Sequence, residues 1–346
     1  MVRSYSGVLE KNDCVGTGSV SIVYNVTPTI VVKTVRGRRP ETEEHPFYRE
    51  IKFYECLNKR EDRCPDIVEC FLALPDHLFL SYCDLNSISY RFSERQVREK
   101  LPDGWPGRLI CVNDYEDPAL IARWIQQITS ALEYIEKMGF SHNDVHPRNC
   151  LLDKDFNLRL SDFDWATTIG QFLLSSYSPW ARKLPAGPLK GSYGLCGART
   201  EQFAVGTLLY YMVYGREPYE DIDLKNQDPD GLERRFEAME FPILDRHEVF
   251  DDLISACWHT VYPTMALLAY DCKRKTKDLA LDAEYNSIDF ARERENCEVL
   301  IQRGLLGPDL ALRFQPVWQR YYRAILGKST FVWQSLSNLL KWFWIS

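Results

Sequence analysis

The 346-residue sequence has no apolar run of the roughly 20 residues that a membrane-spanning helix needs. Its nearest approach, Phe331 to Ile345, is broken by Gln334, Asn338 and Lys341. There is no Cys-x-x-Cys pair among the 11 cysteines, whose odd number is scattered from Cys14 to Cys297. The opening stretch MVRSYSGVLEKND also lacks the apolar core of a secretion signal. These absences predict free thiols in a reducing, intracellular setting, cytoplasmic or nuclear, where the sequon Asn25-Val26-Thr27 stays idle. A basic excess is missing as well: the net charge is -7, which argues against a nucleic-acid partner. With 45% hydrophobic and 26% charged residues the chain has the composition of a folded protein, and no internal repeat divides it.

What is present falls into two halves of different character. Val20 to Val26 and Ile30 to Val35 are rich in β-branched residues around a turn, and Ile67 to Leu74 and Leu78 to Cys83 flank Pro75-Asp76-His77, so two hairpins are predicted. Between them Pro46 opens FYREIKFYECL, in which Phe47, Ile51, Tyr54 and Leu57 recur at helical spacing. A polar stretch from about Ser87 to Asp117, marked by Pro102, Gly104, Pro106 and Gly107, reads as a long loop. Beyond it helices dominate: ALIARWIQQITSALEYIEKMG, from Ala119 with Gly139 at its end as the stop, then Glu201 to Tyr214, Gly231 to Met239, Val249 to Trp258 and Thr264 to Cys272. Two short strands, CLLD and LRLSD, follow the first of these, and a second loop runs from Phe172 to Thr200.

The chemistry concentrates in a few places. In VGTGSVSIVY, Gly16 and Gly18 lie between two predicted strands, where missing Cβ atoms let backbone N–H groups come close to phosphate oxygens; a plain hairpin reads as well from these residues alone. Lys33 sits inside the apolar run IVVKTV and must point to solvent or meet an anion, with Glu50 on the next helix as a partner within reach. SHNDVHPRN is the densest polar stretch. Asp144 and Asn149 stand five residues apart in it, and Asp162 closes the strand that follows. Oxygen donors of this kind suit magnesium and phosphoryl transfer, because Mg²⁺ prefers carboxylate and carbonyl oxygens and keeps several waters.

Taken together, in this order and spacing, the motifs resemble the eukaryotic protein kinases, and among them divergent kinase-like proteins of fungal type. Gly16-x-Gly18-x-x-Ser21-x-Val23 is similar to the glycine-rich loop, Val31-Val32-Lys33 to the third-strand lysine, Glu50 to the helix-C glutamate, His142-Asn143-Asp144 through Asn149 to the catalytic loop, and Asp162-Phe163-Asp164 to the metal-binding motif. The resemblance covers residues 10 to about 272. It implies ATP and Mg²⁺ as cofactors, Asp144 as the group that orients and deprotonates the acceptor hydroxyl, Asn149 and Asp162 as metal ligands, and Lys33 with Glu50 on the phosphates. By the same resemblance Val23 and Leu151 sandwich adenine, and the hinge that bonds it is Ser81-Tyr82-Cys83 behind Leu80.

The implied fold is α+β and bilobal: a small antiparallel-sheet lobe with helix C over 10–83 and a larger helical lobe over 84–276; residues 277–346 match no part of the family and read as a helical extension of unknown role. A protein substrate phosphorylated on serine or threonine is the expectation. Two alternatives stay open, a small-molecule phosphotransferase of the aminoglycoside or choline kind, suggested by His146, and a nucleotide-binding scaffold without activity. Some positions depart from the family pattern. Asp164 stands where glycine is usual, Glu201 replaces an aspartate, and Asn143 replaces an arginine that receives a phosphorylated residue in many kinases. The Ala-Pro-Glu motif is absent from GSYGLCGART, and Tyr262 stands where its arginine partner would be. The final FVWQSLSNLLKWFWI reads as one helix, packed on the large lobe or presented to a membrane surface or partner.

Overall fold

The structure is a computed structural model, and it describes residues 9–36, 45–102, 106–174, 176–222, 228 and 230–314. The helix expected over 331–345 lies outside the described residues.

The first half folds as its residue pattern dictates. Strands β1 (Cys14–Thr17), β2 (Ser21–Asn25), β3 (Ile30–Val35), β4 (Cys70–Leu74) and β5 (His77–Ser81) form one antiparallel sheet of order β1-β2-β3-β5-β4. Both predicted hairpins are there, β2–β3 and β4–β5, and β3 lies between β2 and β5 in the sheet. Helix α1 (Tyr48–Leu57) packs beneath the sheet through Phe53, Tyr54 and Leu57, and carries Glu50 on the same buried side.

The second half is helical. Helix α3 (Pro118–Lys137) starts where Asp117 accepts the Ala119 N–H and proline takes the first turn, whose N–H needs no partner. Past its C-terminal turn Gly139 takes φ +81°, which a side chain would resist. Helix α4 (Ala198–Tyr214) is the hub of this lobe, buried almost from end to end. It crosses α6 (Glu248–Trp258) so closely that a Cβ on Gly206 would come within 2.7 Å of the Cys257 Cβ. Two further helices, α5 (Gly231–Glu237) and α7 (Met265–Lys275), complete the lobe. A two-residue strand, β8 (Phe140–Ser141), follows α3, and beyond it β9 (Cys150–Leu152) and β10 (Leu158–Leu160) form an antiparallel pair.

The polar stretch expected to be loop is structured. Ser87 caps α2 (Ile88–Ser93) by accepting the Tyr90 N–H, and β6 (Gln96–Lys100) pairs with β7 (Pro106–Val112). Hairpin β6–β7 is half exposed and so carries charges where a core strand would carry aliphatics. Contacts with the large lobe hold it: Gln96 donates to the Gly215 carbonyl at 2.6 Å and Arg98 meets Glu220 at 2.5 Å.

After α7 the chain returns to the small lobe. Asn157 donates to the Glu284 carbonyl at 2.8 Å, and the Tyr285 hydroxyl accepts from Gln127 of α3 at 2.9 Å while donating to Asp66 at 2.5 Å. Helix α8 (Phe290–Gln302) then lays Cys297 and Ile301 against the outer sheet face of Tyr24, Ile30, Val32, Phe71 and Phe79. A short helix, α9 (Pro308–Phe314), follows. The residues from 282 to 306 thus touch both lobes and cover apolar sheet surface that would otherwise face water.

Candidate active site

The cleft between the lobes gathers the residues singled out in the sequence. Val23 is the cross-strand partner of Lys33, and Gly16 of Val23, so the three line up across neighbouring strands of the sheet. Gly18 donates its N–H to the Ser21 carbonyl at 2.8 Å, closing the turn; a Cβ there would press on Ser21 Oγ at 3.2 Å. Neither Gly16 nor Gly18 needs a positive φ, so their value lies in the space they leave rather than in conformational freedom.

Lys33 is 4% exposed and Glu50 fully buried. Lys33 Nζ lies 2.6 Å from Glu50 Oε2 and 2.6 Å from Asp162 Oδ1, so one ammonium ties α1 to the end of β10. Burial would push the Lys33 pKa down, but the carboxylates of Asp162, Glu50 and Asp164 outweigh it and hold Lys33 above its ordinary value. Burial pushes Glu50 up against the pull of Lys33. The lysine inside an apolar strand therefore points inward to a built site, not to solvent.

Asp162 adopts φ +65°, a left-handed conformation that aspartate tolerates, and its side chain stays 38% exposed toward the cleft. Phe163 turns the other way, stacked on Phe53 of α1 at 3.9 Å and edge-on to His142 at 4.9 Å. Asp164 does not occupy a positive φ, so aspartate replaces the usual glycine without backbone strain. Its carboxyl is pushed up to about 7 by burial and by the neighbouring Asp162 charge.

The loop after α3 is held by its own polar atoms. Glu201, buried at the start of α4, accepts from the Ser141 hydroxyl at 2.8 Å and from the backbone N–H groups of Asn143 and His142 at 2.9 and 3.3 Å. Glutamate thus spans the distance that aspartate usually spans. His142 Nδ1 accepts the Asp144 N–H at 3.2 Å, so its Nε2 carries the proton given to the Ser161 carbonyl at 3.0 Å. Asn149 Nδ2 donates to the Asp144 carbonyl at 2.9 Å and to Asp144 Oδ2 at 2.8 Å, which leaves the amide oxygen of Asn149 for another partner.

His146 is the site residue whose role the sequence alone does not disclose. Its Nδ1 accepts the Arg148 N–H at 3.2 Å and its Nε2 lies 3.2 Å from Asp144 Oδ2. Burial pushes the Asp144 carboxyl up, but the bond from His146, the electrostatic influence of the two neighbouring imidazoles and the Asn149 bond prevail and hold it below the usual carboxylate range. A His two residues after an acid inside a turn is the sequence signal, since that spacing can fold an imidazole back onto the carboxylate.

Around this polar floor, Val23 and Leu151 lie partly buried on the apolar core, and Val31 is paired with Leu80 in the sheet. Ser81 ends β5, Tyr82 donates its N–H to the Thr29 carbonyl at 3.0 Å, and Cys83 is buried beside them, so Ser81-Tyr82-Cys83 forms the passage between the lobes. Among the described residues no group of three His, Cys, Asp or Glu side chains could hold a metal ion by itself. Asp162 and the amide oxygen of Asn149 could hold one weakly bound cation whose remaining ligands come from water and a phosphate, which is how Mg²⁺ is usually carried.

The missing ion pair of the large lobe has a neutral replacement. Gln202 accepts the Tyr262 N–H at 3.0 Å and donates to the Tyr262 carbonyl at 2.6 Å, while the Tyr262 hydroxyl donates to Asp271 at 2.7 Å. No charge is stranded where both partners have changed.

A two-lobed frame with a buried Lys–Glu pair, a carboxylate beside an asparagine, and a second carboxylate against the lysine defines a phosphotransferase class of architecture. The chain belongs to the protein kinase family: the family model described as protein kinase domain matches residues 9–272. Similar proteins include the human tyrosine-protein kinase ABL2, 28% identical over 239 residues, which cover 66% of this chain and 18% of the relative. The serine/threonine-protein kinase ATG1 of Sclerotinia sclerotiorum is 25% identical over 252 residues, 60% of this chain and 26% of the relative. The CBL-interacting serine/threonine-protein kinase 5 of Arabidopsis thaliana is 32% identical over 115 residues, 32% of this chain and 25% of the relative. The chain spans less than a third of the length of these relatives.

Proposed function

We propose that this protein is a kinase that transfers the γ-phosphate of ATP, with Mg²⁺, to a hydroxyl on a protein substrate, serine or threonine being the acceptor. The observation that carries the reading is the assembled chain of contacts from Glu50 through Lys33 to Asp162, all at 2.6 Å. A scaffold with no chemistry to perform would not need it. In this reading Lys33 steadies the α and β phosphates, Asp162 and Asn149 hold the metal that neutralises phosphate charge, and Asp144 orients the acceptor hydroxyl and takes its proton. The turn of Gly16 and Gly18 covers the phosphates; Val23 and Leu151 flank the adenine; the backbone of Ser81 and Cys83 receives its edge.

His146 supports the same reading from a different direction. Its bond fixes the carboxylate rotamer of Asp144 and helps keep it ionised, which a base for a neutral hydroxyl requires. The similarity to tyrosine-protein kinases favours a second acceptor, the tyrosine phenol, for which the same base and metal serve.

Incubation with γ-labelled ATP, Mg²⁺ and a generic protein substrate, followed by acid hydrolysis to separate the phosphoamino acids, tests both. Label on phosphoserine or phosphothreonine is expected. Phosphotyrosine alone would move the assignment to the second acceptor, and label only on small alcohols offered in parallel would overturn the protein-kinase reading.

A further inference from the structure

Between Asp164 and Glu201 lie 36 residues that contain four cations, Arg182, Lys183, Lys190 and Arg199, and no acid. In a chain with 49 acids among 346 residues and a net charge of -7, this run stands apart as the positive segment. It also borders the candidate active site. Trp180 and Thr200 line one small cavity with Asp144, Trp180 lies edge-on to His146 at 6.1 Å, and the Thr207 hydroxyl holds the Pro179 carbonyl at 2.9 Å. Arg182 follows Trp180 by two residues and Arg199 immediately precedes Thr200, so each leaves the backbone within about 7 Å of chain from a residue of that cavity.

The four cations are not equally engaged. Lys183 meets Glu233 at 2.8 Å, and the Tyr193 hydroxyl donates to the same carboxylate at 3.1 Å. Lys190 stands exposed. Arg182 and Arg199 are half-buried and close enough for their charges to repel: burial pushes both guanidinium groups below their ordinary pKa, and Arg182 pushes Arg199 further. Among the described residues no carboxylate pairs with either. Arg199 is aimed by the bond from its Nη2 to the Tyr193 carbonyl and by the absence of a side chain at Gly194, where a Cβ would fall 2.6 Å from that nitrogen. Arg182 Nε is buried and has no hydrogen-bond partner. A desolvated donor beside a second cation is costly, and an oxyanion between the two removes both costs, because each guanidinium fork donates parallel bonds to such a group.

We propose that Arg182 and Arg199 together receive an oxyanion of the protein substrate, the carboxylate of an acidic residue or a phosphate group, carried within about three residues of the acceptor hydroxyl. This deepens the phosphotransfer reading above and rests on it for the place of the acceptor beside Asp144. A neutral segment leaves the two cations unmatched and a basic one adds a third, so the pair selects by repulsion as well as by attraction.

The test is a fluorescence anisotropy titration of the phosphatase-treated full chain with the labelled peptide Glu-Glu-Ala-Ser-Ala-Glu-Glu, beside analogues with glutamine, lysine or phosphoserine for each glutamate. The glutamate peptide is expected to bind at least about tenfold more tightly than the glutamine peptide, the scale of one charge-assisted hydrogen bond. In Arg182→Gln/Arg199→Gln that advantage should shrink to within about twofold. Arg182→Glu should prefer the lysine peptide to the glutamate peptide, a gain that a misfolded variant would not show. A tenfold advantage confined to the phosphoserine peptide would identify the oxyanion as phosphate. Equal binding of the glutamate, phosphoserine and glutamine peptides, or an advantage kept in the double variant, would overturn the proposal. An advantage seen only after phosphatase treatment would give the pair to a phosphate of this chain instead, and complete displacement by millimolar inorganic phosphate would give it to a free anion. Because binding is read without ATP, failure here is distinguishable from failure of the kinase reading, which transfer from labelled ATP to the same peptides tests separately.

Discussion

His146 donates from Nε2 to Asp144 Oδ2 across 3.2 Å, and the Arg148 N–H that its Nδ1 accepts fixes which nitrogen carries the proton. The imidazole thus acts through Asp144. His146→Ala should lower kcat by roughly 10- to 100-fold, the scale of a misplaced reacting group, with the KM for ATP little changed. His146→Gln keeps a donor at similar reach and should restore most of the rate. Equal loss in both variants, or none in the alanine variant, would remove His146 from this positioning role.

The buried pair of Lys33 and Glu50 separates stability from activity. Lys33→Met leaves Glu50 buried without its cation and should cost about 3 to 5 kcal/mol in a urea titration. Adding Glu50→Met removes the stranded charge and should recover most of that loss. Neither variant should transfer phosphate. If the double variant proves no more stable than the single one, the desolvation argument fails.

Tyr285 joins the two lobes by one hydroxyl, and its partner Asp66 is 4% exposed with its carboxyl pushed up to about 6 by burial. A folded-state value raised above 3.8 gives stability that is fully present below pH 3.8 and lost as pH rises through about 6. The loss is on the order of 3 kcal/mol. Asp66→Asn cannot ionise, so the difference between its urea midpoint and that of the wild type should grow in its favour from pH 4.5 to pH 7. Tyr285→Phe removes both hydroxyl bonds and should destabilise by about 1 to 3 kcal/mol, with faster proteolysis near residue 282. A pH-independent difference would contradict the assignment to Asp66.

The small-lobe hairpins and the main helices were legible in the sequence because each has a period of its own: β-branched alternation in β2 and β3, apolar recurrence in α1 and α3. Lys33, Glu50, Asp144, Asn149 and Asp162 were legible through their joint order, and the structure brings the lysine to two of these carboxylates and the asparagine to the third. Hairpin β6–β7 was not, since its strands owe their place to Arg98–Glu220 and Gln96–Gly215, contacts more than 100 residues apart in the chain. Helix α8 was hidden for a related reason: FARERENCEVLIQ is mostly charged, and only Cys297 and Ile301 are buried in it, so its apolar stripe is too narrow to stand out until the sheet face it covers is known.

The central claim, that Asp144 takes the acceptor proton in a metal-assisted phosphate transfer, is tested most directly by Asp144→Asn. Asparagine keeps the shape and the bond to Asn149 while removing the base. Single-turnover transfer from labelled ATP should fall by about 10² to 10⁴, while the stabilisation of the protein by Mg-ATP in a thermal melt stays as in the wild type. Transfer within threefold of the wild type, at unchanged nucleotide binding, would contradict the account.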